Sequence, residues 1–377
     1  MTVEEFFGIG SIVNVSDLIS KYKINKIFLV TGKNSYHLSG AEANLSKILK
    51  DSEIIHYNNC SENPKIEDIE KGIELFKGSG SEMVIAVGGG SVIDVAKLIN
   101  FISFQNDYDI TSGSSSNIFN IGKPLIAIPT TSGSGSEATH FAVVYKDKEK
   151  YSVAHEYILP DISIVDPQLT LSLSPGNTAA SGVDALSQAI ESYWCVNSNV
   201  TSKGFAEESI KLILSNLENA VNNPNIENRT AMSNAANLAG KAINITKTTA
   251  PHAVSYSMTS FFGITHGQAV SLTLGEFLKY NYEVSESDKI DKRGVEYVKC
   301  TIEELAKIIG CENVYDAKEK ISELMKAIGL KTKLSEFSIN SEKDIKLILD
   351  NVNLQRLSNN PRSVSKAELK KILSNIL

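Results

Sequence analysis

The sequence lacks the features that mark membrane, secreted and nucleic-acid-binding proteins. No apolar run approaches the roughly 20 residues that cross a bilayer. The N-terminus, Met-Thr-Val-Glu-Glu-Phe-Phe, has neither the basic region nor the apolar core of a signal peptide. Basic residues are outnumbered, with 37 Lys and Arg against 44 Asp and Glu and a net charge of -7. We therefore expect a cytoplasmic protein that binds neither nucleic acid nor membrane.

Cysteine is scarce as well. The four cysteines, Cys60, Cys195, Cys300 and Cys311, show no Cys-x-x-Cys spacing, which argues against a disulfide framework or a structural zinc site. We expect free thiols, with Cys195 buried in a helix.

The first half of the chain alternates short apolar runs with segments of helical period. The predicted strands are 26–31, 54–57, 83–87, 125–128 and 162–165, and the predicted helices are about 38–50, 66–77 and 92–99. Segments 141–145 and 151–154 read as a β-hairpin, and 111–117 as an exposed loop. This alternation predicts a parallel sheet with helices on both faces, and with the strand-to-helix turns at its carboxyl edge.

A run of three glycines lies between a predicted strand and a predicted helix. Gly88, Gly89 and Gly90 would let backbone N–H groups approach a ligand, and the helix N-terminus adds partial positive charge, so a pyrophosphate fits here. Ser91 and Asp94 have the spacing of a capping box, which would set the start of the helix. A purely structural turn is the alternative.

A second loop, Pro-Thr-Thr-Ser-Gly-Ser-Gly-Ser-Glu over 129–137, follows another predicted strand. Its small hydroxyl residues, among them Thr130, Thr131 and Ser134, offer many donors and little bulk. The loop suits a phosphate or a ribose, and the alternative is a flexible loop.

From about residue 175 the strands give way to long segments of helical period. We therefore predict an α/β domain over 1–172 and an all-helical domain over 173–377.

In the helical half, Asp184 and Gln188 lie four residues apart and share one helix face. His252 and His266 follow, and a carboxylate with imidazoles is a ligand set for a divalent first-row metal. Spacing alone leaves structural histidines as an alternative.

Four segments, in order along the chain, resemble the signature segments of the iron-containing (group III) alcohol dehydrogenases. They are 88–97, 129–139, 184–191 and the stretch from His252 to Gly267. The resemblance implies a dehydroquinate synthase-like fold: an N-terminal dinucleotide-binding domain, a helical metal and substrate domain, and a cleft between them. It also implies a homo-oligomer, most simply a dimer.

The resemblance places Asp184, Gln188, His252 and His266 on the four metal-ligand positions of the family. The second position normally carries histidine. The carboxamide oxygen of Gln188 is a harder, neutral donor, so affinity for Fe²⁺ or Zn²⁺ should fall. The metal could therefore bind more weakly, be a different ion or be absent.

The implied reaction is hydride transfer between a nicotinamide and a small aldehyde or alcohol, with the metal polarising the carbonyl oxygen. Tyr256 stands where the family's alcohol dehydrogenases commonly carry a histidine, and either relays a proton or simply packs. Without a metal, Tyr256, His252 or His266 would have to stabilise the alkoxide by donating hydrogen bonds.

The first strand ends at Gly32, where many family members have an aspartate that binds the adenosine ribose. Glycine makes room for a 2′-phosphate and Lys33 could neutralise it, so NADP(H) is preferred over NAD(H), although Gly32 could merely permit a turn. The residues expected to bind the cofactor are Gly32, Lys33, Ser35, Gly88, Gly89, Gly90, Ser91, Asp94, Thr130, Thr131, Ser134 and Lys150.

Within the family, segments 150–152, 192–197, 246–250, 252–256 and 359–362 are most similar to enzymes that reduce phosphonoacetaldehyde to 2-hydroxyethylphosphonate. A phosphonate requires a cation in an otherwise acidic protein, and Lys247 is the candidate, with Ser255 as a second substrate residue. Lys247 could instead only cap a helix C-terminus.

Three other functions stay open. The chain could reduce another small aldehyde such as lactaldehyde, act as a lyase of the dehydroquinate synthase type, or be a catalytically dead nucleotide-binding protein, an idea that Gln188 motivates.

Overall fold

The structure, a computed structural model, describes residues 3–106, 108–110, 120–147 and 149–377, so the loop predicted over 111–117 lies outside the described residues. The chain divides into two compact units: Met1–Leu173 with Asn225–Asn237, and Ser174–Pro224 with Leu238–Leu377. The predicted boundary between residues 172 and 173 stays a prediction. The structure adds that Asn225–Asn237, which that boundary assigned to the second domain, belongs to the first unit.

The first unit contains the predicted parallel sheet, which is confirmed. Its strands are β1 (Glu4–Phe7), β2 (Lys26–Thr31), β3 (Glu53–Tyr57), β4 (Met83–Gly88), β5 (Leu125–Pro129) and β8 (Ile162–Val165), in the order β1-β8-β5-β4-β2-β3. The hairpin is also present, with β6 (Phe141–Lys146) antiparallel to β7 (Glu149–Ala154). Sequence analysis missed β1, because Glu-Glu-Phe-Phe shows neither an apolar run nor alternation, although it pairs in parallel with β8.

Along the described part of the first unit, the helices beside the sheet are α1 (Asn14–Tyr22), α2 (Ser35–Leu38), α3 (Ala41–Ile48), α4 (Ile66–Ser79) and α5 (Gly90–Ser103). The helix predicted over about 38–50 is present as α3, but it begins later, at Ala41, because the chain turns between α2 and α3. Gly40 has φ 79 there, a left-handed conformation that interrupts a helix and that glycine adopts without strain.

The central strands are buried on both faces, which explains their continuous apolar runs. Phe28 and Val30 pack with the apolar faces of α4 and α5, whereas Ile27 and Leu29 pack with those of α1 and α3. The alternation along β2 therefore divides the core into two layers, one on each side of the sheet.

The carboxyl ends of β2, β4 and β5 lie at one edge of the sheet. Thr31 pairs with Val87, and Gly88 pairs with Pro129. From β2 the chain continues to β3 on one side, and from β4 it continues to β5 on the other. In open α/β sheets such a switch in direction leaves a crevice outside the strand ends where ligands bind.

The second unit is helical throughout, as predicted. Its helices are α6 (Pro175–Trp194), α7 (Val200–Asn222), α9 (Ala250–Phe262), α10 (His266–Tyr282), α11 (Val295–Ile309), α12 (Val314–Ala327), α13 (Glu342–Asp350), α14 (Leu354–Leu357) and α15 (Lys366–Asn375). Helix α8 (Ile226–Thr246) begins in the first unit and ends in the second. None of the helices in the described ranges has the length and apolar character needed to cross a membrane.

The four cysteines are free thiols, as predicted. Cys195 is buried, but it follows the last residue of α6 instead of lying within the helix.

Candidate metal centre and nucleotide-binding edge

The glycine turn joins β4 directly to α5. Gly89 is the N-cap residue of α5, and no side chain caps the helix, so the predicted capping box of Ser91 and Asp94 is wrong. The Ser91 hydroxyl donates to the carbonyl of Glu62, and the Asp94 carboxylate accepts from Ser136 Oγ. Both side chains therefore bond to other segments of the chain instead of capping the helix.

The hydroxyl-rich loop lies against this turn. A Cβ atom built on Gly90 would lie 2.3 Å from Ser134 Oγ, and one on Gly89 would lie 3.3 Å from Thr131 Cγ2. Thr130 is 2% exposed, and its hydroxyl has no hydrogen-bond partner among the described residues. A buried hydroxyl without a partner costs about 1–3 kcal/mol, which a bound polar ligand could recover.

The other residues predicted to bind the cofactor lie on neighbouring segments of the first unit. Gly32 follows β2, and a Cβ atom there would lie 2.2 Å from Ser35 Oγ. Lys33 is exposed, and Lys150 lies on β7 with its ammonium 6.0 Å from the centroid of the Tyr145 ring. Their roles stay predictions.

In the second unit, three of the four predicted ligands come together. The ligand atoms of Asp184, His252 and His266, from α6, α9 and α10, all lie within 4.8 Å of one another. His252 Nε2 lies 3.5 Å and His266 Nε2 lies 3.9 Å from the same Asp184 oxygen. Asp184 and His252 are buried, and His266 is half-buried.

Close packing of α6 and α10 brings these groups together. A Cβ atom on Gly267 would lie only 1.9 Å from the carbonyl oxygen of Ala180. Only glycine permits this approach, which sets His266, the preceding residue, beside Asp184.

Gln188 completes the cluster from the next turn of α6. Its Nε2 donates to Asp184 Oδ2 at 3.1 Å, while its buried Oε1 has no hydrogen-bond partner among the described residues. Buried carboxamide oxygens are normally satisfied, and a cation would satisfy this one. The donor set therefore fits a divalent cation, which Asp184, Gln188, His252 and His266 would hold.

Sequence analysis missed Glu191, which holds His252 in place. The Glu191 carboxylate is fully buried on α6, and its Oε2 contacts His252 Nδ1. Its Oε1 accepts from Thr249 N and Oγ1, each at 3.0 Å, and from His252 N at 3.3 Å. A carboxylate on Nδ1 fixes the ring so that Nε2 faces the ligand cluster. The available signal was spacing, since Glu191 follows Asp184 by two helical turns.

The same carboxylates control the protonation of His252. Burial by itself lowers its pKa, but Glu191 and Asp184 outweigh burial and raise the pKa to about 10. A cation at Nε2 would have to displace a proton.

The remaining predicted residues lie before and after His252. The Tyr256 ring is buried with its centroid 6.0 Å from that of His266, which is compatible with both roles considered for it. Ser255 is fully buried and donates to the carbonyl of His252. Lys247 directly follows α8 with φ 66, and its N–H donates to the carbonyl of Ile243, so its backbone does cap the helix.

We expect Gln188→His to increase Zn²⁺ affinity at least about tenfold, or about 1.4 kcal/mol, because imidazole is the softer donor. Zn²⁺ titration with a competing chelator measures the dissociation constant. The matched control is Gln168→His at an exposed position of the first unit, which should leave the affinity unchanged. Equal affinities in all three proteins would remove Gln188 from the ligand set.

We expect Glu191→Gln to weaken Zn²⁺ binding about 10–100-fold, the usual cost of losing such a supporting carboxylate. The glutamine oxygen can still accept from Thr249 and His252 N, so the helix start is retained while the charge at Nδ1 is lost. The exposed change Glu312→Gln is the control. Unchanged zinc affinity would show that Glu191 does not orient the imidazole.

Comparison with known proteins extends these findings. Residues 3–167 match the family described as iron-containing alcohol dehydrogenase, and residues 178–377 match its C-terminal part. The chain is 33% identical to long-chain-alcohol dehydrogenase 1 of Geobacillus thermodenitrificans, over 72% of this chain and 70% of that protein. It is 28% identical to phosphonoacetaldehyde reductase of Streptomyces viridochromogenes, over 78% and 75%.

Among solved structures, sulfoacetaldehyde reductase of Bifidobacterium kashiwanohense in complex with NAD⁺ is 30% identical. The match covers 99% of this chain and 96% of that one, with a TM-score of 0.88. Matches over both halves of the sequence show that the chain belongs to the iron-containing alcohol dehydrogenase family of alcohol and aldehyde oxidoreductases.

Proposed function

We propose that this oxidoreductase reduces a small anionic aldehyde, phosphonoacetaldehyde in the first place, to the corresponding alcohol with NADPH. The observation that carries the proposal is the cluster of Asp184, His252 and His266 with the unsatisfied oxygen of Gln188 beside it. Such a set of donors suits a cation that acts on a carbonyl oxygen.

Two relatives support an anionic substrate. One is named phosphonoacetaldehyde reductase and another sulfoacetaldehyde reductase. Both names describe a two-carbon aldehyde that carries a tetrahedral anionic group. The chemistry common to the two is a carbonyl group one methylene away from the anion.

Lys247 is the cation that we assign to this anion. Its backbone ends helix α8 in a left-handed conformation. Thr246 Oγ1 donates to the Lys247 carbonyl at 2.9 Å, and Asn359 Nδ2 donates to the Thr248 carbonyl at 3.0 Å. Among the described residues, the Lys247 ammonium has no hydrogen-bond or ion-pair partner. The charge is therefore available five residues before His252.

The residues around the cluster have distinct parts in the chemistry. When bound, a divalent cation supplies Lewis-acid polarisation and a reduced nicotinamide supplies the hydride. Glu191 holds His252 in one orientation, and burial keeps water away from Asp184 and His252. Tyr256, one helical turn beyond His252, is our candidate for moving the proton to the alkoxide.

NADPH is the preferred cofactor because no carboxylate follows β2. Gly32 carries no charge to repel a 2′-phosphate, and the exposed Lys33 can pair with one. The relative that was solved with NAD⁺ makes NADH the alternative to test. The predicted homo-oligomer and the cytoplasmic location stay predictions.

We expect NADPH oxidation with phosphonoacetaldehyde to require added Fe²⁺ or Zn²⁺. Its rate should exceed the rate with a neutral isostere, in which a tert-butyl group replaces the phosphonate. Lys247→Met should lower kcat/KM for the phosphonate about 10–100-fold, the value of a lost charge-assisted hydrogen bond, and leave the isostere unaffected. The absorbance of the reduced nicotinamide measures the rate with each aldehyde for the wild-type protein and the variant.

The exposed change Lys211→Met is the matched control for Lys247→Met. Preference for the neutral isostere would replace our substrate with an uncharged aldehyde, as the long-chain-alcohol dehydrogenase relative suggests. Nucleotide binding without oxidation under any metal would identify a catalytically dead protein, and turnover in chelator would place catalysis on Tyr256 and the histidines.

We expect Lys33→Met to raise the KM for NADPH about tenfold while leaving that for NADH unchanged, because only NADPH carries the 2′-phosphate. Lys50→Met, which removes another exposed lysine of the same unit, is the control. Equal changes for both cofactors would mean that Lys33 does not recognise the phosphate.

A further inference from the structure

A lysine is fully buried beneath the proposed nucleotide-binding edge. Lys97 lies on α5, two turns after the glycine turn, and has 0% exposure. Lysines are almost never fully buried unless they are paired. Its ammonium donates to Ser136 Oγ at 3.0 Å, to Thr139 O at 2.8 Å and Oγ1 at 3.2 Å, and to Phe141 O at 3.1 Å. The acceptors lie between residues 136 and 141, from the end of the hydroxyl-rich loop to the first residue of β6.

Asp94, one turn earlier on α5, holds the same segment. Its Oδ1 accepts from Ser136 Oγ at 2.5 Å, and its Oδ2 accepts from Val143 N at 2.9 Å. The Ser136 hydroxyl therefore donates to a carboxylate and accepts from an ammonium. Two opposite charges on one face of α5 thus fix residues 136–143.

The loop is also held by the part of α8 that belongs to the first unit. Asn237 Nδ2 donates to the buried Glu137 carboxylate at 3.3 Å, and the hydroxyls of Ser132 and Ser233 lie 3.0 Å apart. Ser233 and Asn237 are four residues apart, so they share one helix face. The loop is therefore held by side chains of both α5 and α8.

This network is costly for stability alone. Burial lowers the pKa of Lys97 to about 8, although Asp94 and Glu137 oppose it, and burial raises the pKa of both carboxyl groups. Replacing buried ion pairs with apolar residues is often neutral or stabilising, so a buried pair alone is weak evidence of a stabilising role. Fully satisfied polar networks do, however, hold a segment in one conformation.

What the network holds is the loop that lies on the glycine turn. Thr130, with its unsatisfied buried hydroxyl, and Ser134, in contact range of Gly90, precede the segment that Lys97 and Asp94 bind. A ligand binds an already ordered loop more tightly, because the free energy of binding then does not include the entropy lost in ordering the loop.

We propose that Lys97 and Asp94 are positioning residues that preorganise the hydroxyl-rich loop, residues 129–137, for the nicotinamide cofactor without contacting it. The inference rests on one part of the proposed function, namely that this loop binds the cofactor. It places Asp94, expected from sequence to contact the cofactor, beneath the loop.

The test compares Ser136→Ala, which breaks the link to both charges, with Lys97→Met, which removes the ammonium. We expect the dissociation constant for NADPH, measured by calorimetry with NADH in parallel, to rise about tenfold for Ser136→Ala and about a hundredfold for Lys97→Met. KM for NADPH should rise in step while kcat changes little. Zn²⁺ affinity should stay at the wild-type value in both.

The matched control is Ser79→Ala, which removes another buried serine hydroxyl of the same unit, bonded to the carbonyl of Phe76 before β4 begins. It should lower the melting temperature without changing NADPH affinity. If Ser136→Ala behaves like Ser79→Ala, the network is merely structural and the inference is overturned, even if Lys97→Met fails to fold. If the wild-type protein binds neither NADPH nor NADH, the proposed function is overturned together with this inference.

Discussion

The contact between the Glu191 carboxylate and the start of α9 is the interaction on which the geometry of the second unit depends most. One fully buried carboxylate on α6 accepts from two backbone N–H groups, one hydroxyl and one imidazole. It thereby fixes the first turn of α9, and with it His252. Tyr256, one helical turn beyond His252, takes its position from the same helix. Removing the carboxylate would leave several buried donors unsatisfied.

The first unit follows the same principle with the opposite charge. Lys97 is a buried cation that satisfies acceptors of a loop, whereas Glu191 is a buried anion that satisfies donors of a helix start. In both cases the charged group lies on a long helix and its partners lie on another segment of the chain. Loops rich in small polar residues cannot be held by hydrophobic packing, so hydrogen bonds to buried charges hold them instead.

Gln188 differs from both, because half of its carboxamide is satisfied and half is not. A histidine there would present one ring nitrogen to a cation without needing a donor for an oxygen. A glutamine could still offer its oxygen to a cation, as a harder ligand than imidazole. We therefore expect glutamine at this position to alter the choice and affinity of a metal more than the fold.

The sheet was predictable because its strands are buried on both faces and read as continuous apolar runs. The break at Gly40 and the edge strand β1 were not, since one depends on a single left-handed residue and the other on pairing with a strand more than 150 residues away. The capping box failed for a related reason. Ser91 and Asp94 have the right spacing, but tertiary partners from residues 62 and 136 compete for their side chains.

The sequence by itself determined the family, the two types of architecture and the identity of the cluster residues, because those depend on local spacing and residue chemistry. Only the tertiary structure revealed that Glu191 supports His252 and that Lys97 supports the hydroxyl-rich loop. These pairs join residues about 40 to 60 positions apart. A buried charge that finds its partner on another segment leaves no periodic pattern in the sequence, since its place is set by how the helices pack.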